Sequence, residues 1–428
     1  MRCFLLLACC LVACQPAYAV LDAGAGDVAV LAGAKARIEK IRKADATVTI
    51  LNSRGKPVPF VSVHVEQVRH SFLFGCAALS LLKHPDPARE AEYQKRFQDL
   101  FNFATVLTYW QDIDPAPDRE NLDFLTAQAR RLKAMDIRIK GHPLFLAGAC
   151  PSWVPTDPDA ARAFCRKRME ALVSHFRSTI DMWDVVGDAT TAAGAQNGLG
   201  AWARQAGPVA LTADALRWAR GANPAATLLY NDYKLDADYT NLVQGVQKSG
   251  APLDMLGLEA HMIGSEWPLE KVWNTAETFS VTGRPIHFSE VTVLSDDPTA
   301  DHGKSWPTTP AGEQRQADYV EKLYTVLFSH PNVEAIGWWN FVDGDWDRNP
   351  AGFLRADLTP KPVYDRLHTL IKRTWWTTLD VKTARDGTAK FRGFTGRYRI
   401  QIRTPRGLTV REAEVARNKS NHIVILIP

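Results

Sequence analysis

The residues of this chain that could do acid–base chemistry recur at comparable places. His142, Asp188, Asn231-Asp232, Glu259 with His261, Glu290, and Trp338-Trp339 with Asp343 each stand at or just beyond the end of a short apolar run. Two facing carboxyl groups are the least equipment that cleaves a glycosidic bond. One protonates the leaving oxygen, while the other attacks the anomeric carbon or activates water. A single Asp or His at a strand end is an ordinary loop cap. Recurrence at successive ends is what points to one shared site, and the 13 tryptophans of the chain supply faces that can grip sugar rings.

The runs themselves set the scaffold. Strands are predicted at Phe72–Cys76, Phe103–Thr108, Ile137–His142, Met182–Val186, Thr227–Asn231, Met255–Ala260, Ile286–Glu290 and Ala335–Asn340. Amphipathic helical stretches lie between them, as at Asn121–Met135, Asp159–Phe176, Leu269–Phe279 and Gln314–Phe328. Eight buried strands alternating with helices are the pattern of a (β/α)8 TIM barrel, whose chemistry gathers at the C-terminal ends of the strands. A doubly wound open sheet is the alternative, but no G-x-G-x-x-G or P-loop follows any strand. Val- and Thr-rich alternation from Ala46 to Val68, and again at 390–394, 396–402 and 422–426, predicts a small accessory β-sandwich built from both termini. The expected division is 1–19 leader, 20–70 N-terminal strands, 71–376 barrel and 377–428 C-terminal strands.

Composition excludes several classes. Hydrophobic content of 46% and charged content of 23% are those of a globular chain. A net charge of +4 over 428 residues gives no case for nucleic-acid binding or polybasic membrane docking. Four of the seven cysteines fall in the first 14 residues. There Met1-Arg2 and the apolar run Cys3–Ala13 form a signal-peptide pattern too short to span a bilayer. Ala17-Tyr18-Ala19 is a cleavage site that would leave Val20 first, whereas Leu11-Val12-Ala13-Cys14 resembles a lipoprotein box with Cys14 acylated. Either predicts an exported protein, whether periplasmic, secreted or an outer-membrane lipoprotein, with membrane contact only through a lipid on Cys14. The remaining Cys76, Cys150 and Cys165 lack zinc-ligand spacing. Cys150 and Cys165 could close a short disulfide loop, or all three could be buried thiols.

With those residues in view, Ser71 to Trp376 resembles glycoside hydrolase family 10, the xylanase-type barrel glycosidases. The resemblance rests on Gly141-His142 with Pro151-Ser152-Trp153, then Trp183-Asp184-Val185-Val186, Asn231-Asp232-Tyr233 and Gly257-Leu258-Glu259-Ala260-His261-Met262. It closes on Phe288-Ser289-Glu290-Val291 and Trp339-Asn340-Phe341-Val342-Asp343. The flanking strands and the run at 360–365 look most like a xylanase-like branch. The resemblance implies a cofactor-free and metal-free hydrolase of polysaccharides or oligosaccharides, of which xylan is the first candidate. It places the nucleophile at Glu290 and the acid/base at Asp188, with His142, Asn231, Glu259, His261, Trp339, Trp346 and Trp110 holding substrate.

Three departures bear on the chemistry. Where the family has Asn-Glu after Trp-Asp-Val-Val, this chain has Gly187-Asp188. Gly187 cannot bond the sugar 2-hydroxyl, and Asp188 withdraws its carboxyl by about one C–C bond, ~1.5 Å. Carboxyls about 5–5.5 Å apart serve retention and about 6.5–9.5 Å inversion, so a slow retaining enzyme, an inverting enzyme and a binding-only site all remain open. Glu259 replaces a usual Gln. It either assists Asp188 as a third carboxyl or hydrogen-bonds His261. The xylose-binding Glu-Asn-x-x-Lys and Trp-His groups are replaced by Val106–Trp110 and by Leu146-Ala147, which removes support for xylan specificity. Tyr109, Trp110, Trp267, Trp338 and Trp346 either form a new aromatic platform or pack beneath the loops.

Two further readings stand beside the hydrolase. A catalytically impaired carbohydrate-binding protein follows from Gly187-Asp188. A metal-dependent hydrolase would rest on His142, His261 and His287, but no His-x-His pair opens the barrel, and His287 should point away from its neighbour Phe288.

Overall fold

The computed structural model describes residues 24–117, 121–296 and 307–428. The expected leader and the acylation site at Cys14 lie outside them. Fifteen strands occur among the described residues. They are β1 (Lys43–Asn52), β2 (Ser62–His70), β3 (Leu73–Ala77), β4 (Phe103–Leu107), β5 (Arg138–His142), β6 (Met182–Gly187), β7 (Thr227–Asp232) and β8 (Met255–Met262). These are followed by β9 (Ile286–Val293), β10 (Val333–Trp338), β11 (Thr378–Lys382), β12 (Thr388–Phe394), β13 (Gly396–Thr404), β14 (Gly407–Val415) and β15 (His422–Ile427).

Strands β3 to β10 close into a parallel barrel in sequence order, β10 pairing back onto β3. The fold is a (β/α)8 barrel, and all eight predicted runs supply its strands. Their apolar residues face the surrounding helices, such as Pro158–His175, Leu269–Ser280 and Pro310–Phe328. Helix starts are fixed locally. Asp157 accepts from Ala160 N, and Thr309 from Gly312 N, each directly before a proline in the first turn. At the N-terminal end of the barrel, Leu73, Phe103, Met182, Leu229 and Ala335 form one buried cluster. That filled floor leaves the chemistry to the other end.

The termini form two small sheets, β12-β1-β15 and β11-β2-β13-β14. Val48 and Ile50 of the first meet Val63, Val65, Ile400 and Ile402 of the second in a separate apolar core. β1 pairs in parallel with β15, which brings the N-terminal and C-terminal strands into one sheet.

The N-terminal segment departs from expectation. The sequence assigns 20–70 to N-terminal strands, with the alternation itself at Ala46–Val68; ahead of those strands the chain forms two helices, Ala25–Ala32 and Ala34–Ile41. The second buries Ala34 and Ile38 and half-buries Arg37 and Ile41, an i, i+3, i+4, i+7 stripe of helical period, while Ala36, which a strand would set on the same face as Ala34 and Ile38, is exposed. Arg42 then locks the segment to the barrel, donating to the carbonyls of Phe328, His330 and Val333, each at 2.7 Å. Burial lowers its guanidinium pKa to about 9.

Cys76, Cys150 and Cys165 are all free thiols. The optional Cys150–Cys165 disulfide is not formed. No described helix is long and apolar enough to cross a membrane.

Candidate active site

Above the apolar floor, the barrel interior turns polar in the order the strands dictate. Alternation on β5 sends Lys140 and His142 inward. Lys140 Nζ lies 2.5 Å from Asp184 Oδ2 of β6, with both side chains fully buried. The same Oδ2 lies 2.8 Å from His142 Nδ1. Burial alone would raise the Asp184 carboxyl, but the Lys140 ammonium and His142 outweigh it and hold the group below its ordinary value. Asp184 thereby fixes the His142 ring, and Nε2 faces Glu290 Oε1 at 3.4 Å.

Glu290 reaches the cleft because β9 breaks its alternation. Its register slips against β8 between Leu258 and Glu259, and against β10 between Ile336 and Trp338. Such an irregularity re-aims a side chain that strict alternation would send outward. It also sets Glu259 directly opposite Glu290. Asn231, fully buried on β7, donates from Nδ2 to Glu259 Oε1 at 2.7 Å and to Glu290 Oε1 at 2.8 Å. Ser289 Oγ donates to Asn231 Oδ1 and fixes which end of the amide faces the carboxyls. Gly257 makes room for this, since a Cβ there would stand 2.1 Å from Asn231 Oδ1. His261 completes the ring of partners, with Nε2 3.2 Å from Glu290 Oε2 and Nδ1 2.8 Å from Thr292 Oγ1. Burial raises the Glu290 carboxyl, but His142 and then His261 overcome it, and the group is held below the usual glutamate range.

Asp188 sits just past β6 with a left-handed backbone, φ 55°. Asp is among the few residues other than glycine that adopt this conformation readily. Its N–H donates to the Asn231 carbonyl at 3.0 Å, while its Oδ1 is buried without a partner. Burial, then the charges of Asp232 and Glu290, push its pKa up to about 7 against smaller opposing effects of His142 and the Tyr233 backbone. Glu259 is also raised well above its ordinary value, by burial and then by Glu290 and Asp188.

These groups line a cleft of about 440 Å³ at the C-terminal mouth of the barrel. Of the residues singled out in the sequence, His142, Asp188, Glu259, His261, Glu290, Trp339 and Trp346 all face it. Trp346 stacks on His261, with centroids 4.7 Å apart at 28°, and Trp339 stands edge-on to His142 at 5.4 Å.

Several expectations need correction. Trp110 lies in the core, packed edge-on against Trp153 and under the Arg168 guanidinium, so it does not face the cleft. Trp338 is likewise buried, its Nε1 donating to the Ala351 carbonyl. The aromatic platform is therefore Tyr109, Trp267, Trp339 and Trp346. Asn231 lies behind the cleft wall with its amide hydrogens spent on the two glutamates. Glu259 bonds Asn231, and its Oε2 is 4.0 Å from His261 Nε2, so the expected Glu259–His261 hydrogen bond is absent. Asp343 is tied to Lys361 at 2.6 Å. His287 does point away from Phe288, but into the barrel below the cleft beside Phe103 and Lys140, where burial lowers its pKa to about 3. The three histidines do not converge. Lys140, Thr292 and Ile263 went unnoticed in the sequence, where Tyr233 figures only as part of the Asn231-Asp232-Tyr233 segment; for Lys140 and Thr292, two-residue spacing from His142 and Glu290 was the available signal.

The sequence profile of glycosyl hydrolase family 10 matches residues 66–369. The chain belongs to that family. Among curated relatives, the anti-sigma-I factor RsgI6 of Acetivibrio thermocellus is 25% identical over 382 residues, covering 87% of this chain and 46% of that protein. Endo-1,4-beta-xylanase B of Thermotoga neapolitana is 24% identical, covering 67% of this chain and 85% of the xylanase. The chain thus spans less than half of the first relative and most of the second. Xylanase 10B of Thermotoga petrophila, solved in complex with xylobiose, superposes with a TM-score of 0.60 at 22% identity, over 71% of this chain and 95% of that one. At that identity the likeness shows the fold.

Proposed function

We propose that the protein is an exported glycoside hydrolase that cleaves β-glycosidic bonds of a polysaccharide or oligosaccharide, with Glu290 as nucleophile and Asp188 as acid/base. One observation carries this reading. Two carboxyl groups on one cleft are pushed in opposite directions, Glu290 below its ordinary value and Asp188 up to about 7. An ionised attacker and a protonated donor are the two states the first chemical step needs at the same pH.

In that step Asp188 gives its proton to the leaving oxygen while Glu290 attacks the anomeric carbon. Asp188, now ionised, then takes a proton from the water that releases the sugar. His142, His261 and Asn231 hold Glu290 on both oxygens and stabilise its charge. Tyr109, Trp267, Trp339 and Trp346 offer faces for the sugar rings. The endo-1,4-beta-xylanases among the relatives make xylan-type β-1,4 polymers the first substrates to try. The leader directs export, and Cys14 provides a lipid anchor if it, rather than Ala19, marks the processing site.

Gly187 favours a second reading, a carbohydrate-binding protein with impaired catalysis. It presents no side chain to the cleft, and losing one transition-state contact costs about 10²–10³ in rate. Turnover of a glycan panel, first by the wild type and then by Gly187→Asn with Asp188→Glu, separates the two. Ordinary turnover by the wild type supports the hydrolase. Silence that the double change relieves supports the binder.

A further inference from the structure

Three side chains at the floor of the cleft each keep one atom anchored by the scaffold and turn another toward a common point. Asn231 Nδ2 holds Oε1 of both Glu259 and Glu290. Thr292 Oγ1 holds His261 Nδ1 at 2.8 Å. The remaining atoms converge: His261 Nε2 lies 3.2 Å from Glu290 Oε2 and 4.0 Å from Glu259 Oε2. One ligand atom from each residue falls within 4.8 Å of the other two.

Ligands about 2.0–2.1 Å from a tetrahedral zinc ion stand about 3.3–3.4 Å apart. The present spacings bracket that value, so small side-chain adjustments would close the site. We propose that Glu259, His261 and Glu290 bind a divalent transition-metal ion of the zinc class. The imidazole favours zinc, cobalt, nickel or copper over magnesium or calcium. Thr292 and Asn231 play the part that outer hydrogen-bond partners play around metal ligands, fixing ring and carboxylate orientation. The fourth ligand position opens to the cleft. An ion there would take the Glu290 oxygen needed for attack and so exclude turnover. That consequence rests on the role proposed for Glu290; the binding does not.

The test is calorimetric titration of the processed full-length protein with zinc chloride after chelator treatment, with cobalt(II) absorption as an independent readout. One equivalent should bind, and visible bands of low-coordinate cobalt should appear. Glu259→Gln and His261→Gln should each weaken binding at least tenfold and remove the bands. His64→Gln, at the surface pair with Asp380, should change neither. No saturable binding below millimolar zinc, or binding unaltered by both cleft substitutions, overturns the proposal. The wild-type cobalt spectrum decides the matter if a variant fails to fold. Glycan hydrolysis in chelator is read separately, so loss of the metal site and loss of the hydrolase reading are distinguishable.

Discussion

Replacing Asp188 by Asn removes the proton donor while keeping the shape and the left-handed backbone that Asn tolerates as well as Asp. The wild-type profile comes first. With the Asp188 pKa at about 7, its protonated fraction is about 0.9 at pH 6 and about 0.01 at pH 9, so kcat/KM should fall about ninetyfold between them. Burial sets this limb first, then the charges of Asp232 and Glu290, which also raise it, against His142, which lowers it. In Asp188→Asn the alkaline limb should vanish. On an unactivated oligosaccharide, kcat/KM at pH 6 should drop by about 10²–10⁴, or about 2.7–5.4 kcal/mol at 1.36 kcal/mol per tenfold. An aryl glycoside with a dinitrophenolate leaving group needs no protonation, so its bond-breaking step should be nearly spared. The assay is initial rates on both substrates from pH 4 to 10. An unmoved alkaline limb, or equal losses on the two substrates, would refute the reasoning and shift the acid role to Glu259.

Three further outcomes are expected. A Cβ at Gly187 would sit 3.4 Å from Leu146 Cδ1 and 3.6 Å from the Phe145 carbonyl oxygen, ordinary contacts. Gly187→Asn should therefore fold with a Tm within a few degrees of wild type and raise kcat/KM at least tenfold; unchanged or lower activity would clear Gly187 as the deficit. Lys140→Met strands the Asp184 carboxylate in the barrel and should cost about 3–5 kcal/mol in denaturant melts; a loss below 1 kcal/mol would mean Asp184 is already neutral. Trp346→Ala removes a stacking face worth about 0.5–1.5 kcal/mol and should raise KM roughly two- to tenfold, whereas an unchanged KM would place the sugar elsewhere.

The barrel was legible because most of its strands are short, largely apolar runs buried on both faces, and the cleft because its polar residues end those runs. Other features needed three dimensions. β14 exposes nearly all of Gly407–Val415, so it carries no apolar alternation and its pairing with β13 could not be read. β11 is an edge strand of five residues with only Leu379 and Val381 turned toward the core. Trp110 and Trp346 are the same residue type near barrel mouths, yet one is packed under Arg168 and the other stacks on His261; only the path of the loops separates them. The register slip that turns Glu290 into the cleft and sets it opposite Glu259 leaves no mark in composition or periodicity. Motif resemblance located both residues, while geometry supplied their relation.

The central claim is that Glu290 attacks sugar carbon while Asp188 manages the proton. Proton NMR of the first-formed anomer during hydrolysis of a β-linked oligosaccharide, by wild type and by Glu290→Gln, tests it most directly. The account predicts the β-anomer first, followed by mutarotation, with turnover by Glu290→Gln reduced to background. An α-anomer first, or turnover that survives the substitution, would contradict it.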